Sequence, residues 1–218
     1  IFHFYDIKMN INSKQNIMTK MTKFKTIVTE RLKEIINWSI HPYPNGLTTK
    51  FRRTQRGTVK QLRDEAKKKE FEWGNSIINQ KDNGNWSTTL GQNLVRDVLK
   101  LLGKNPRKPE KKDGYIPDWE CDDAIYEVKT RNWTTGGSAG EKVLGVMYKY
   151  SDIPVLYGKP LYIVLVAYQE YEYTLGNTKI FGENISERKK TLLDTAAGMD
   201  IKYLKFSDLV LPLIEVQT

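Results

Sequence analysis

Three side chains near the middle of the chain, Asp118, Glu127 and Lys129, have types and a spacing that suit metal-assisted hydrolysis of a phosphate ester. Glu127 and Lys129 lie two residues apart in an alternating segment, so a strand would place both on one face. A tight turn between the two segments would bring Asp118, which follows Pro117, alongside Glu127. Two carboxylates and the Val128 carbonyl form an oxygen site suited to Mg²⁺. A lysine beside such a metal could orient or deprotonate an attacking water.

The same residues also have a simpler interpretation. A Glu-x-Lys pair is common on half-buried strands, and Pro-Asp occurs in many turns. Glu120 is an alternative to Asp118, since it lies two residues further along the same face; the other reading of Glu120 is a solvated acid at a strand end. The surrounding elements and the charge must therefore support a catalytic interpretation.

The elements that would position these residues are predicted from periodicity. An amphipathic helix carries Leu90, Leu94, Val95, Val98, Leu101 and Leu102, with an N-cap among residues 87–89 and an end at Gly103. Residues 115–119 and 124–129 predict a hairpin, and residues 160–167 a fully buried central strand. Further helices are expected at 143–150 and 186–197, and a short strand at 202–206. This mixture predicts an α/β fold with a central mixed β-sheet flanked by helices on both faces.

The first part of the chain is more polar. Ile27, Leu32, Ile35 and Ile36 predict a helix that ends before the turn at His41, and residues 58–73 predict a basic second helix. Residues 105–114 predict an exposed basic loop. We expect an extension outside the fold over residues 1–20, followed by a single domain over 21–218. That domain would comprise a basic helical part, 21–86, and an α/β core, 87–218.

Charge is distributed unevenly. The net charge is +9, but residues 1–114 hold 24 Lys and Arg against 11 Asp and Glu, while residues 115–218 hold 11 against 15. A localised basic excess is typical of phosphate-binding surfaces, so nucleic acid is the leading partner. The densest stretch contains Lys50, Arg52, Arg53, Arg56, Lys60, Arg63, Lys67, Lys68 and Lys69. A solvated helix face explains that stretch equally well, and an anionic membrane surface is disfavoured because it offers few large apolar residues.

Several functional classes are excluded or disfavoured. No apolar run approaches the roughly 18 residues of a membrane span, and no secretory signal is visible. Cys121 is the single cysteine and, with only His3 and His41, cannot complete a four-ligand zinc site. No Gly-Lys-Ser/Thr follows a glycine-rich loop, so ATP is not implied. A reducing cytoplasmic location is expected.

The sequence resembles the PD-(D/E)xK nuclease superfamily and, within it, type II restriction endonucleases. The match consists of Pro117-Asp118, Glu127-Val128-Lys129, the following residues 130–133, the Gly-rich segment 136–142 and the strand after Pro160. It covers roughly residues 90–167. The resemblance implies that the aspartate and glutamate bind Mg²⁺, that the lysine assists the water, and that cleavage leaves a 5′-phosphate and a 3′-hydroxyl.

The chain departs from the family pattern at one position. Many members carry an acid on the helix before the first strand, where this sequence has Gln92; a neutral amide brings no charge to a second metal. Glu72 is the fallback acid. Arg131, Asn132 and Lys142 are candidate DNA contacts, because these residue types bind phosphates and read bases. Trp133 could stack on a base or belong to the core.

These features predict a Mg²⁺-dependent, sequence-specific endonuclease acting on double-stranded DNA. A homodimer would place one site on each strand, and a cognate DNA methyltransferase would act as a separate protein. Arg52, Arg53 and Arg56 would contact phosphates, so replacing them together should flatten the salt dependence of binding. Two alternatives stay open: a Holliday-junction resolvase or repair nuclease on the same core, and a non-catalytic DNA-binding module.

Overall fold

The computed structural model describes residues 21–40, 56–81, 84–134, 139–175 and 185–216. The predicted extension 1–20, together with Arg52, Arg53 and residues 136–138 of the Gly-rich segment, lies outside the described residues. The strands are β1 Met21–Phe24, β2 Trp119–Glu120, β3 Ile125–Arg131, β4 Leu161–Ala167, β5 Ile201–Lys205 and β6 Ile214–Val216. The helices are α1 Glu30–Ile40, α2 Arg56–Ile78, α3 Trp86–Leu101, α4 Ala139–Lys149, α5 Ile153–Tyr157, α6 Tyr168–Leu175, α7 Glu187–Gly198 and α8 Phe206–Val210.

The main sheet has four strands in the order β2-β3-β4-β5. β2 runs antiparallel to β3, whereas β3, β4 and β5 are parallel. Parallel neighbours need long crossovers, and here α4 with α5, then α6 with α7, provide them. β1 and β6 pair separately as a two-stranded antiparallel sheet. The predicted α/β fold with a mixed sheet is confirmed.

Alternation along the strands divides the core between two sheet faces. Tyr126 and Val128 point into a cluster with α1, α3 and α8, whereas Ile125 points into a second cluster with α4, α5 and α7. β4 contributes Val164 and Val166 to the first cluster and Leu161, Ile163 and Leu165 to the second. β4 is therefore the buried central strand that its continuous apolar run predicted, and helices cover both faces of the sheet.

Helix α3 crosses β3 at very short range because residue 91 is glycine. A Cβ at Gly91 would lie 1.7 Å from the Thr130 Oγ1 and 2.8 Å from its Cβ. Any larger residue would push the helix away from the strand. This close approach carries the next residue, Gln92, to the end of β2.

Some predicted boundaries were wrong. The N-cap of α3 is Asn85 rather than one of residues 87–89, although Gly103, with φ of 75°, ends the helix as predicted. The first hairpin strand is confined to Trp119–Glu120, and α4 begins at Ala139, four residues earlier than expected. Helices α5, α6 and α8 were not predicted, because segments of five to eight residues are too short to show a helical period.

Within the part of the chain that the structure describes, every helix is too short or too polar to cross a lipid bilayer.

Candidate active site

The site lies where β2 stops pairing with β3. The last paired residues are Trp119 and Tyr126, and extending that register by two residues would place Pro117 opposite Val128. Proline has no N–H, so the ladder cannot continue there. The N–H and C=O of one strand residue point to the same side. The Val128 carbonyl is therefore directed toward the open end of β2.

The Asp118 carboxylate replaces the missing backbone partner of Val128 in the β2–β3 ladder. Its Oδ2 accepts a hydrogen bond of 2.7 Å from the Val128 N–H, and its Oδ1 accepts one from the Gln92 amide nitrogen. The Trp119 indole N–H donates to the Gln92 carbonyl at 2.9 Å, which holds the start of α3 against β2. The structure thus brings Gln92 to Asp118.

Glu127 lies opposite Asp118 in the register and is only 4% exposed. Its Oε1 accepts a hydrogen bond of 2.6 Å from the Lys129 ammonium. Its Oε2 is buried and accepts no hydrogen bond from the residues that the structure describes. An ionised carboxylate oxygen with no donor in the protein interior is unfavourable, so this oxygen is suited to a ligand that supplies positive charge.

Both carboxylates have a raised pKa. For Glu127 the first cause is burial and the second is the charge of Asp118. For Asp118 the first cause is again burial, which outweighs the Val128 N–H and the Lys129 charge that favour its ionised form. Two carboxylates that face each other and are largely removed from water resist ionising together unless a proton or a cation joins them.

Two functional candidates at the end of α4 were not predicted from the sequence. The Tyr150 hydroxyl contacts Glu127, and the pKa of Tyr150 is raised to about 12, first by burial and then by the Glu127 charge. The Lys149 ammonium donates to the Tyr150 hydroxyl at 3.3 Å and also lowers the pKa of Glu127. Tyr150 occupies the buried stripe of Val143 and Val146, so its helical spacing indicated a core position without indicating its partner.

The predicted DNA contact Arg131 is not presented to a ligand. It is 6% exposed, pairs with Glu172 at 2.9 Å, and stacks on Tyr168 at 4.5 Å from the ring centroid. Period-two alternation did not reveal this, because the partner acid belongs to α6, a helix that was not predicted. Arg131 therefore fastens the end of β3 to α6.

Asn132 and Trp133 also make contacts within the protein. Asn132 is half-buried, with its Nδ2 3.5 Å from both Glu70 and Thr134. The Trp133 indole N–H donates to the Trp38 carbonyl at 2.7 Å, and its ring packs against the core. The core interpretation of Trp133 is the one the structure supports.

On α2 the buried acid is Glu70, not the predicted fallback Glu72. Glu72 is exposed and lies 3.8 Å from Lys68 on the same helix. Glu70, two residues earlier, is 1% exposed and accepts from Trp38, from the N–H groups of Trp133 and Thr134, and from the Thr134 hydroxyl. It was missed because it lies among the many exposed charges of a basic helix.

Glu120, the alternative to Asp118, belongs to a separate group of ion pairs. Its Oε1 accepts from Lys159 at 2.6 Å and from Arg107 at 2.9 Å. These cations, with the Lys159 hydrogen bond first, lower the pKa of Glu120. Because its charge is already compensated, Glu120 is a structural acid and Asp118 remains the candidate ligand.

For the remaining predicted DNA contacts, only the position of the backbone is described. Lys142 lies in the first turn of α4 and Arg56 begins α2. The structure does not describe their side chains.

The donor set fits a small hard cation. Over the described ranges, no three His, Cys, Asp or Glu side chains gather as a metal site. Asp118, Glu127 and the Val128 carbonyl nevertheless supply three oxygens and no nitrogen or sulfur. This is the chemistry of Mg²⁺, which needs only one or two carboxylates and retains several waters.

Comparisons of the chain with protein-family models, with curated proteins and with solved structures gave no significant match.

Proposed function

We propose that this protein is a Mg²⁺-dependent nuclease that hydrolyses phosphodiester bonds of double-stranded DNA. The proposal is carried by one observation: the half-buried Asp118 and the buried Glu127 face each other beside β2, and among the described residues one Glu127 oxygen has no donor while Lys129 holds the other at 2.6 Å. Asp118, Glu127 and the Val128 carbonyl would hold the metal. Bound there, Mg²⁺ would lower the pKa of water and neutralise phosphate charge.

The protein groups have distinct tasks in this reaction. Lys129 orients the attacking water and stabilises the negative charge that develops on the phosphate oxygens. As the new P–O bond forms, the bond to the 3′ oxygen breaks, giving a 5′-phosphate and a 3′-hydroxyl. Gln92 holds Asp118, and Tyr150 contacts Glu127, so both are positioning residues.

The finer proposal is a type II restriction endonuclease of the PD-(D/E)xK kind. It is supported by the Pro117-Asp118 and Glu127-Val128-Lys129 motifs on adjacent antiparallel strands, preceded by α3 and followed by α4 and the parallel strand β4. A homodimer acting on both DNA strands and a separate cognate methyltransferase belong to this proposal. So does a cytoplasmic location, which the single, buried Cys121 supports.

The decisive experiment incubates the purified protein with a plasmid and with a long linear DNA, in Mg²⁺ or in EDTA, and sequences the ends. Mg²⁺-dependent fragments that share one motif and carry 5′-phosphates are expected. Cleavage without a shared motif would replace the restriction enzyme by a resolvase or repair nuclease. DNA that stays intact while binding the protein would exclude the nuclease.

A non-catalytic DNA-binding module is the second candidate. It is favoured by Gln92, which occupies the position of an acid in the family pattern and donates to Asp118. A protein without catalysis should bind DNA equally well with and without Mg²⁺, which a gel-shift titration in Mg²⁺, Ca²⁺ and EDTA would show.

A further inference from the structure

A lysine outside the predicted site lies directly beside Asp118. The Lys108 ammonium donates to the Asp118 carbonyl at 3.0 Å and lies 4.1 Å from the centroid of the Trp119 ring. The guanidinium carbon of Arg96, on α3, lies 5.7 Å from the same centroid. Two cations therefore converge on one indole at the edge of the carboxylate pair.

Three of the neighbouring cations, Arg107, Lys104 and Lys112, are already neutralised or engaged elsewhere. Arg107 pairs with Asp122 and Glu120, and Lys104 pairs with Asp123. Lys112 is half-buried, reaches the Leu156 carbonyl at 3.0 Å and lies 4.7 Å from the centroid of the Tyr157 ring. Lys108 is different because it is exposed and lies beside the carboxylate pair: its ammonium contacts the Asp118 carbonyl and the Trp119 ring, and its charge also acts on the Asp118 carboxylate. Its ammonium is exposed and keeps hydrogen-bonding capacity for an anion.

The ring that gathers these cations is fixed in place. Trp119 is buried and its N–H is held by the Gln92 carbonyl. Bringing two positive charges to one fixed ring is unfavourable unless an anion joins them. The Arg96 guanidinium is 2.8 Å from Asp97, whereas Lys108 forms no ion pair with a described carboxylate, so Lys108 has more of its charge available to an anion.

We propose that Lys108, assisted by Arg96 on the Trp119 ring, binds a backbone phosphate next to the one that the carboxylate pair would receive. The proposal rests on the nuclease function given above. A nucleic-acid strand carries its phosphates at regular intervals, so a strand with one phosphate at Asp118 brings the next within reach of this pair of cations. Such a contact fixes the position of the strand and is independent of base sequence.

The test measures binding of a labelled DNA duplex in Ca²⁺ as a function of salt, for the wild type, Lys108→Gln, Lys108→Arg and Lys111→Gln. Lys111 is an exposed lysine of the same loop, so its replacement removes the same charge away from the ring. Lys108→Gln should lower affinity for every sequence by the same factor. It should also reduce the slope of log K against log salt by about 0.9, the value of one lost phosphate contact.

The controls decide the interpretation. Lys108→Arg should recover the slope and Lys111→Gln should keep it; equal slopes for Lys108→Gln and Lys111→Gln would overturn the proposal. A wild type that binds no DNA would overturn it as well. A wild type that binds with the expected Lys108 effect but cleaves no DNA under Mg²⁺ would support the phosphate site while removing the nuclease function.

Discussion

Two buried glutamates show how differently the protein treats a carboxylate. Glu70 and Glu127 are both almost fully enclosed. Glu70 receives donors on both oxygens, from Trp38 and the N–H of Trp133 on one and from Thr134 on the other. Glu127 accepts a hydrogen bond from the Lys129 ammonium on one oxygen, and no donor within the described ranges reaches the other.

The difference separates a structural carboxylate from one suited to binding. Glu70 joins α1 and α2 to the loop after β3, and its charge is spread over neutral donors that cost little to arrange. Glu127 faces a second carboxylate, Asp118, and both have a raised pKa. A buried acid that has no donor for one of its oxygens and has an acidic neighbour is held by the fold at a cost in stability, which is typical of functional sites.

The largest expected effect concerns catalysis. Asp118→Ala and Lys129→Ala should each reduce Mg²⁺-dependent DNA cleavage by more than about 10³-fold, because each removes several kcal/mol of metal or charge stabilisation. DNA binding in Ca²⁺ should be retained. Asp122→Ala, which removes an exposed acid of the same hairpin, is the matched control. Cleavage that survives in either purified site variant would contradict the assignment.

The next prediction compares how replacing Glu70 and replacing Glu127 change the free energy of unfolding. Glu70→Gln places an amide N–H₂ among donors and should lower the free energy of unfolding by about 2–4 kcal/mol. Glu127→Gln removes one of two like charges and should leave stability unchanged or higher. Urea denaturation of both variants without metal tests this. Equal destabilisation would mean that Glu127 is also a structural acid.

A third effect follows from the unpartnered oxygen. Ca²⁺ or Mg²⁺ at about 100 times its Kd should stabilise the wild type by about 2.7 kcal/mol, because only the folded chain brings the two carboxylates together. Asp118→Asn should lose this gain and Asp122→Asn should keep it, as measured by thermal unfolding with and without EDTA. A gain that persists in Asp118→Asn would place the metal elsewhere.

The smallest effect concerns Glu120, whose charge is fully paired. Its pKa is lowered from 4.5, so its ion pairs stabilise the fold above that pH, and their contribution is lost as the pH falls through the lower folded value. Glu120→Gln should therefore show a shallower loss of stability in acid than the wild type. The half-buried Asp118 and the buried Glu127 have raised pKa values and act in the opposite sense, since their protonation on acidification relieves repulsion. Unfolding curves from pH 7 to pH 3 distinguish the two.

The sequence predicted much of this arrangement where the determinants are local. Alternation through Glu127, Val128 and Lys129 determines which side chains share a face, and a tight turn determines the register that brings Asp118 opposite Glu127. The apolar run of β4 likewise predicted its central position. These features depend only on neighbouring residues and on the periods of strands and helices.

The parts that were missed depend on packing between distant elements. Tyr150 contacts Glu127 only because α4 packs on that face of β3, and Arg131 is enclosed only because α6 supplies Glu172. In the sequence, Lys108 is one of several cations in the predicted exposed basic loop. Its position depends on backbone hydrogen bonds between Arg107 and Glu120, which no local pattern reveals.

The short length of β2 has a consequence for association with other chains. A sheet edge with open N–H and C=O groups invites another strand, and in unstable proteins this leads to aggregation. Here β2 has only two residues because Pro117 prevents pairing before Trp119, the backbone of Arg107 bonds both polar groups of Glu120 at 2.9 Å, and Lys108 covers the Asp118 carbonyl. The proline that interrupts pairing opposite Val128 thus also prevents this edge of the sheet from extending into a neighbouring molecule.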